Sequence, residues 1–232
     1  MMTAAEIKYI KSLKEKKFRD SSGLFVVEGE KMVAEALASD FKVRQVIRVE
    51  DVGENTMSRI SGLTSPPPVL AVVEQKRSHC AELAEGLCLA LDSVRDPGNM
   101  GTIIRLADWF GVKTIYCSDD CVEVYNPKVV QASMGSVFRI NIVVCDLLQL
   151  CSRFKDAGRK IYGTFLDGSN IYQSNLEDNA LIVMGNESNG ISLAVRNQVD
   201  ARVLIPSFGG SKAESLNVGV ATAVVLSEFR RR

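Results

Sequence analysis

From residue 87 to residue 205 the chain alternates short apolar runs with amphipathic stretches, and this alternation restricts its fold more than any other feature. The runs at 87–91, 113–117, 140–144, 160–164, 180–184 and 203–205 have strand length. Between them, apolar residues at helical spacing predict helices over 100–110, 127–137, 147–156 and 193–199, with a long helix closing the chain. Strand and helix in turn predict an α/β fold on a mostly parallel sheet, which places ligands in loops at the carboxyl ends of strands.

Upstream the pattern is shorter. Gly23-Leu24-Phe25-Val26-Val27 predicts a strand, Met32, Val33, Ala36 and Leu37 the apolar side of a helix, and 43–49 and 69–73 two further strands. A small α/β domain is therefore expected over 1–75, a polar linker with the only histidine, His79, over 76–86, and a larger domain over 87–232. At 232 residues, 46% of them hydrophobic, the chain has core enough for both. The 28 Lys and Arg balance 28 Asp and Glu, so overall charge points neither to nucleic acid nor to a membrane surface. Local charge is different: Lys8, Lys11, Lys14, Lys16, Lys17 and Arg19 make a basic amino end. They also read as the solvated face of a helix whose other side is Ile7, Ile10 and Leu13. No apolar run reaches membrane length and no secretory leader pattern opens the chain, so a cytoplasmic location and no membrane partner are expected. Six cysteines without a Cys-x-x-Cys pair argue against zinc, and one histidine argues against a histidine-based triad. No metal is expected, and the thiols are assigned to the core.

Three loops are rich in chemistry-bearing residues. In the first, Asp96-Pro97 forms a helix start and Gly111 a helix stop, but Arg105 among Ile103, Ile104, Leu106 and Ala107 implies a task for its guanidinium, with phosphate or carboxylate as partner. The second, Gly185-Asn186-Glu187-Ser188-Asn189-Gly190, follows an apolar strand; its first glycine permits a ligand near the backbone or merely a turn. The third follows Val203-Leu204-Ile205-Pro206 with Gly209, Gly210 and Ser211, then Ser215-Leu216-Asn217. After it, Leu216, Val220, Ala223 and Val224 share one helical face and Val218, Ala221, Val225 and Phe229 another, so the last helix is expected to be buried nearly all round. Ser215 and Asn217 stand at its first turn, where they read as caps or as ligand contacts. Neither a phosphate-binding Gly-x-x-x-x-Gly-Lys-[Ser/Thr] nor a Gly-x-Gly-x-x-Gly between a strand and a helix occurs, which argues against kinases, ATPases, nicotinamide enzymes and Rossmann methyltransferases.

Taken in order, Asp-Pro-Gly-Asn-Met-Gly-Thr-Ile-Ile-Arg at 96–105, Met-Gly-Asn-Glu-Ser-Asn-Gly-Ile-Ser at 184–192, and Ile-Pro followed by Ser-Leu-Asn at 205–217 resemble the three motifs of the SpoU/TrmH RNA ribose methyltransferases. The resemblance extends to 131–139, and the first domain resembles that family's RNA-binding domain of ribosomal-protein type. One departure is the longer loop from Pro206 to Ser215, which carries Phe208 and Lys212.

The resemblance implies a trefoil-knotted second domain, an S-adenosyl-L-methionine cofactor, an rRNA or tRNA substrate and a homodimer joined by the second domain, with residues of both subunits at each site. It implies methyl transfer to a ribose 2′-hydroxyl, with Asn99, Arg105, Glu187, Ser215 and Asn217 at catalytic positions. Thr164, Gly185, Ile205, Ser215 and Leu216 fall at cofactor positions, and Lys14, Lys16, Lys17, Arg19 and Arg139 are assigned to RNA. Arg105 is open to two roles, general base or phosphate clamp. A non-catalytic RNA-binding relative and a base-methylating knotted enzyme are the alternatives.

Overall fold

Alternation along Leu24–Glu28 turns Phe25 and Val27 inward, and this strand, β1, opens the first of two sheets. The computed structural model describes residues 2–76, 82–209 and 214–231. His79, Cys80, Gly210, Ser211 and Lys212 of the sequence expectations lie outside the described residues. Helices α1 (Ala4–Ser12) and α2 (Lys16–Ser22) precede β1, and α3 (Glu30–Ala38), β2 (Val43–Arg48), α4 (Val49–Val52), α5 (Glu54–Ile60) and β3 (Val69–Glu74) follow it. The strand order is β1-β3-β2, antiparallel throughout. A central strand has both faces covered, which is why β3 reads Val-Leu-Ala-Val-Val without alternation. Ile7, Ile10, Leu13, Met57 and Ile60 cover one face. Leu37 is exposed, because the buried arc of α3 ends with Met32, Val33 and Ala36.

The second sheet is the parallel one that the alternation predicts. In chain order come β4 (Cys88–Leu91), α6 (Pro97–Trp109), β5 (Thr114–Cys117), α7 (Pro127–Ser133), a 3-10 turn at Ser136–Phe138, β6 (Asn141–Val144), α8 (Leu147–Asp156) and β7 (Ile161–Asn170). A 3-10 turn at Ile171–Gln173, β8 (Leu181–Met184), α9 (Leu193–Arg196), β9 (Ala201–Leu204) and α10 (Val218–Arg230) complete it. All six strands pair in parallel, in the order β6-β5-β4-β8-β7-β9. The chain steps outward from β4 to β5 and β6, then continues on the other side, so the switch point of the sheet lies between β4 and β8. Ligand crevices form at such points. Both strands are buried along their whole length, under α6 and α10 on one face and α8 and α9 on the other. Cys88, Cys117 and Cys151 are buried free thiols as expected; Cys121 and Cys145 are half-buried.

Three expectations change. The helix over 127–137 ends at Ser133, because Met134 and Gly135 turn left-handed (φ 51° and 96°) and a Cβ on Gly135 would stand 2.8 Å from Cγ of Glu35. Strand β7 continues past Thr164 to Asn170, with its ladder to β9 broken between Thr164 and Ser169. Helix α10 starts at Val218, so Leu216 precedes it. Val218, Val225, Leu226 and Phe229 are buried, whereas Val220 is 52% exposed and Leu216 50%. The last helix is therefore buried on one side only.

Two arginines expected to meet RNA join the two units, Arg19 buried between them and out of reach of RNA, Arg139 still exposed. Arg19, 2% exposed, donates to both carboxylate oxygens of Glu123, at 3.0 Å to Oε1, and to the carbonyls of Leu13 (2.9 Å) and Lys14 (2.8 Å). A buried guanidinium is tolerated only when its donors are filled in this way. Arg139 donates to Asp108 at 2.8 Å and to Glu35 across the junction. Around these pairs the apolar core of α3 and β1 runs on into Val130, Val137 and Phe138, with Phe25 packed on Tyr125 (4.5 Å between centroids).

Candidate active site

Three polar side chains from three separate loops meet at the switch point. Asp96 caps α6 by accepting from Asn99 N at 2.8 Å, with Pro97 next, and the cap fixes Asn99 in the first turn. Asn217 caps α10, accepting from Gly219 N at 2.9 Å and Val220 N at 3.2 Å. The capping oxygen orients the amide, whose Nδ2 donates to Asn99 Oδ1 at 2.8 Å, and Asn99 Nδ2 donates in turn to Glu187 Oε1 at 3.0 Å. Asn217, Asn99 and Glu187 thus form one directional relay, although 118 and 88 positions separate the paired residues along the chain.

The loop carrying Glu187 is closed on itself. Asn186 N and O pair with Gly190 O and N (2.9 and 3.0 Å), and Asn186 Oδ1 accepts from Ser188 N and Asn189 N, an Asx turn. A Cβ on Gly185 would lie 2.3 Å from Gly190 C and Ile191 N. Glycine is thus required here by the approach of the chain to itself. Burial pushes the Glu187 carboxyl up, but hydrogen bonds from Asn99 and from backbone N–H groups, among them those of Asp96 and Arg95, outweigh it and hold it below its usual value. Glu187 is accordingly an ionised acceptor that orients Asn99. Because its folded value is depressed, the stabilisation is complete above the ordinary carboxylate value and is lost as pH falls through the lowered one. Acid melting curves should show this: the parent loses melting temperature faster than Glu187→Gln on descending below the ordinary carboxylate range.

The other expected site residues are placed differently. Arg105 is exposed on α6, without an ion pair or hydrogen bond among the described residues, and six positions from Asn99 means about 240° around the helix. Ser215 is exposed and does not cap α10. Thr164 Oγ1 is spent on Val183 O at 3.3 Å. The backbone groups of Gly185, Ile205 and Leu216 take no part in the turn, loop and cap hydrogen bonds among the described residues. Such groups need partners, most of all at buried Gly185, so this edge fits a ligand held by main-chain contacts. Lys16 and Lys17 are exposed and make surface pairs with Asp20 (2.8 Å) and Glu15 (3.2 Å), Lys17 also standing 4.8 Å from the Phe18 ring centroid, and exposed Lys14 reaches Ser61 O. No cluster of metal-binding side chains occurs among the described residues.

With this geometry in place, residues 86–227 match the model of the SpoU rRNA Methylase family. The chain belongs to that family. Residues 4–85 match the MRM3-like substrate binding domain. The 23S rRNA (guanosine(2553)-2'-O)-methyltransferase RlmP of Bacillus subtilis is 32% identical over 97% of this chain and 96% of its own length. A TrmH-family protein of known structure from Porphyromonas gingivalis is 36% identical with TM-score 0.90, covering 100% of this chain and 99% of that one. An AdoMet-bound rRNA methyltransferase from Sinorhizobium meliloti is 32% identical with TM-score 0.89, covering 100% and 96%. Within this SpoU domain, sequence reasoning missed three residues that hold the loops. Asn186 donates to Ser93 O at 2.7 Å, Asp92 accepts from Ser192 N at 2.7 Å, and Asp120 binds Ser93, Ser118 and Arg95. Asn186 carries a readable signal, a turn composition with Ser188 and Gly190 behind it. Asp92 and Asp120 carry none, since most of what they bind is distant in sequence.

Proposed function

We propose that this SpoU family member transfers a methyl group from S-adenosyl-L-methionine to a ribose 2′-hydroxyl of ribosomal RNA, as a homodimer. The observation that carries this is the Asn217–Asn99–Glu187 relay at the switch point, beside the backbone of Gly185, Ile205 and Leu216, which makes no turn, loop or cap hydrogen bond among the described residues. Gly185, Ile205 and Leu216 would hold the cofactor through main-chain groups, with Thr164 and Ser215 at its edge. When bound, the cofactor supplies an electrophilic methyl on a sulfonium. Asn99 keeps one amide hydrogen and one carbonyl lone pair beyond the relay, enough to orient a hydroxyl. Glu187 fixes that amide, and the fixed orientation favours in-line attack. Arg105, a permanent cation, clamps the adjacent phosphate and stabilises charge on the 2′-oxygen, whose proton passes to solvent as the sulfonium gives up its methyl and becomes a thioether. Lys14, Lys16 and Lys17 meet the RNA backbone. The passage of β8 between β4 and β7, with the return of α10 onto α6, is read as the trefoil knot, and the reaction is placed in the cytoplasm. Among the described residues no helix is long and apolar enough to cross a membrane.

Incubating the purified chain with rRNA and a methyl-labelled cofactor, then digesting to nucleosides, tests the reaction. Label on 2′-O-methylnucleosides is expected; label on a base favours a base methyltransferase, and no label favours a binding protein.

The dimer rests on a different observation. Trp109 (84% exposed) on α6, Val220 on α10 and Leu216 just before it leave apolar side chains uncovered on two helices that pack together. A second copy docked there covers these side chains and brings Arg105, whose side chain makes no hydrogen bond or ion pair among the described residues of its own subunit, to the partner's relay. Sedimentation of the full chain should give a dimer at micromolar concentration and a monomer for Trp109→Glu with Val220→Glu. A parent chain that sediments as a monomer contradicts this arrangement.

A further inference from the structure

Residues 118–123, the first six of the nine that link β5 to α7, touch both halves of the molecule. At one end Glu123, 17% exposed, receives the buried Arg19 of the substrate-binding unit. At the other, the segment holds the loop that carries Asn99. Ser118 Oγ accepts from Ser93 N at 2.9 Å, and Asp120 takes Ser118 Oγ at 2.6 Å, Ser93 Oγ, and Arg95 Nη2 at 3.2 Å. Val122 N donates to Val94 O at 2.9 Å. These bonds keep Ser93 left-handed at φ 60°, an uncommon state for a serine. The backbone N–H groups of Arg95 and Asp96, next along the loop, point at Glu187 (3.5 and 3.3 Å), which holds Asn99. A continuous path of bonds therefore runs from Arg19 to the relay. Hydrogen bonds from Ser118, Ser93 and Arg95 hold the Asp120 carboxyl down at about 2, so this anchor stays ionised.

We propose that Arg19 and Glu123 are positioning residues for methyl transfer, fixing the RNA-binding unit to the strap of residues 118–123, which in turn sets the catalytic loop of residues 93–99. RNA gripped by the first unit is thereby presented to Asn99 at a defined distance, and the choice of ribose follows from that distance. The inference rests on the methyl-transfer reading above. A chain with an independently swinging first domain would need no buried guanidinium at the junction, since desolvating one is costly without a geometric return.

The test uses full-length Glu123→Gln, Arg19→Lys and Asp120→Asn, with an unmodified 23S rRNA transcript as probe. Single-turnover methylation at saturating RNA should fall roughly tenfold or more in Glu123→Gln, on the scale of misplacing a reacting group, with cofactor affinity unchanged. Methyl groups should spread to riboses neighbouring the target, and amide exchange over 93–99 should rise without RNA. Arg19→Lys, which keeps the charge and loses the fork, should fall between. Asp120 is partly exposed, so Asp120→Asn remains folded if Glu123→Gln does not, and should show the same exchange at 93–99. Combined, the Asp120 and Glu123 changes should cost less than their sum. Unchanged site selection and exchange in a folded variant would overturn the proposal, as would rate and cofactor affinity falling together with melting temperature. If the parent methylates nothing, the reaction assignment fails, and the exchange measurement alone decides the coupling.

Discussion

Arg105→Ala should lower single-turnover methyl transfer by roughly a hundredfold or more, the scale of removing one preorganised charge from a transition state, and leave cofactor affinity nearly unchanged. The side chain is exposed and makes no bond among the described residues, so removing it leaves no buried group unpaired. Its flanks, Ile103, Ile104 and Ala107, are buried in the core and hold the helix whether or not the guanidinium is present. The melting temperature should accordingly be that of the parent. A structural role would show itself as a lower melting temperature with joint loss of cofactor and RNA binding. Methylation at the parent rate would remove Arg105 from the mechanism.

Gly185→Ala should abolish cofactor binding before it unfolds the protein. An added methyl would meet Gly190 C and Ile191 N at 2.3 Å and Gly190 O at 2.6 Å, all backbone atoms that cannot rotate away. The turn from Asn186 to Gly190 must then shift as a block, since it is closed by its own hydrogen bonds and anchored on Ser93. A displacement near 1 Å at Glu187 would break its 3.0 Å contact with Asn99, and misplacement of that size costs about a hundredfold in rate. Overpacking adds about 1–3 kcal/mol of destabilisation. Calorimetry with S-adenosyl-L-methionine, beside a thermal melt, separates the two effects. Normal cofactor affinity in Gly185→Ala would mean that the turn yields locally and that its closure is not what shapes the site.

Much of this architecture is legible in the sequence because local rules and the fold agree. The six runs from 87 to 205 became six parallel strands, since a strand buried on both faces has to be apolar throughout, as Leu181–Met184 is. The Asp96-Pro97 start held because capping chemistry is local. Where distant parts meet, local reading failed. Arg19 looks like one more cation in a basic run, and only Glu123, 104 positions away, buries it. Helical periodicity passes through Met134 without interruption, but the docking of Glu35 against Gly135 forces a left-handed turn. The spacing of Leu216 and Val220 suggested a buried face, yet only the end of β9 and the cap at Asn217 decide where α10 begins. At the site, residue types pointed to loops that the structure brings together. The relay itself appears only when three loops from different strands converge.

The most direct measurement of the central assignment is nucleotide-resolution mapping of 2′-O-methyl groups, by resistance to alkaline cleavage, in ribosomal RNA from cells with and without this protein. One or a few ribose methyl groups should disappear in its absence and return with the parent gene, but not with Arg105→Ala. Identical maps from both cell types, or a lost modification that proves to lie on a base, would contradict the account.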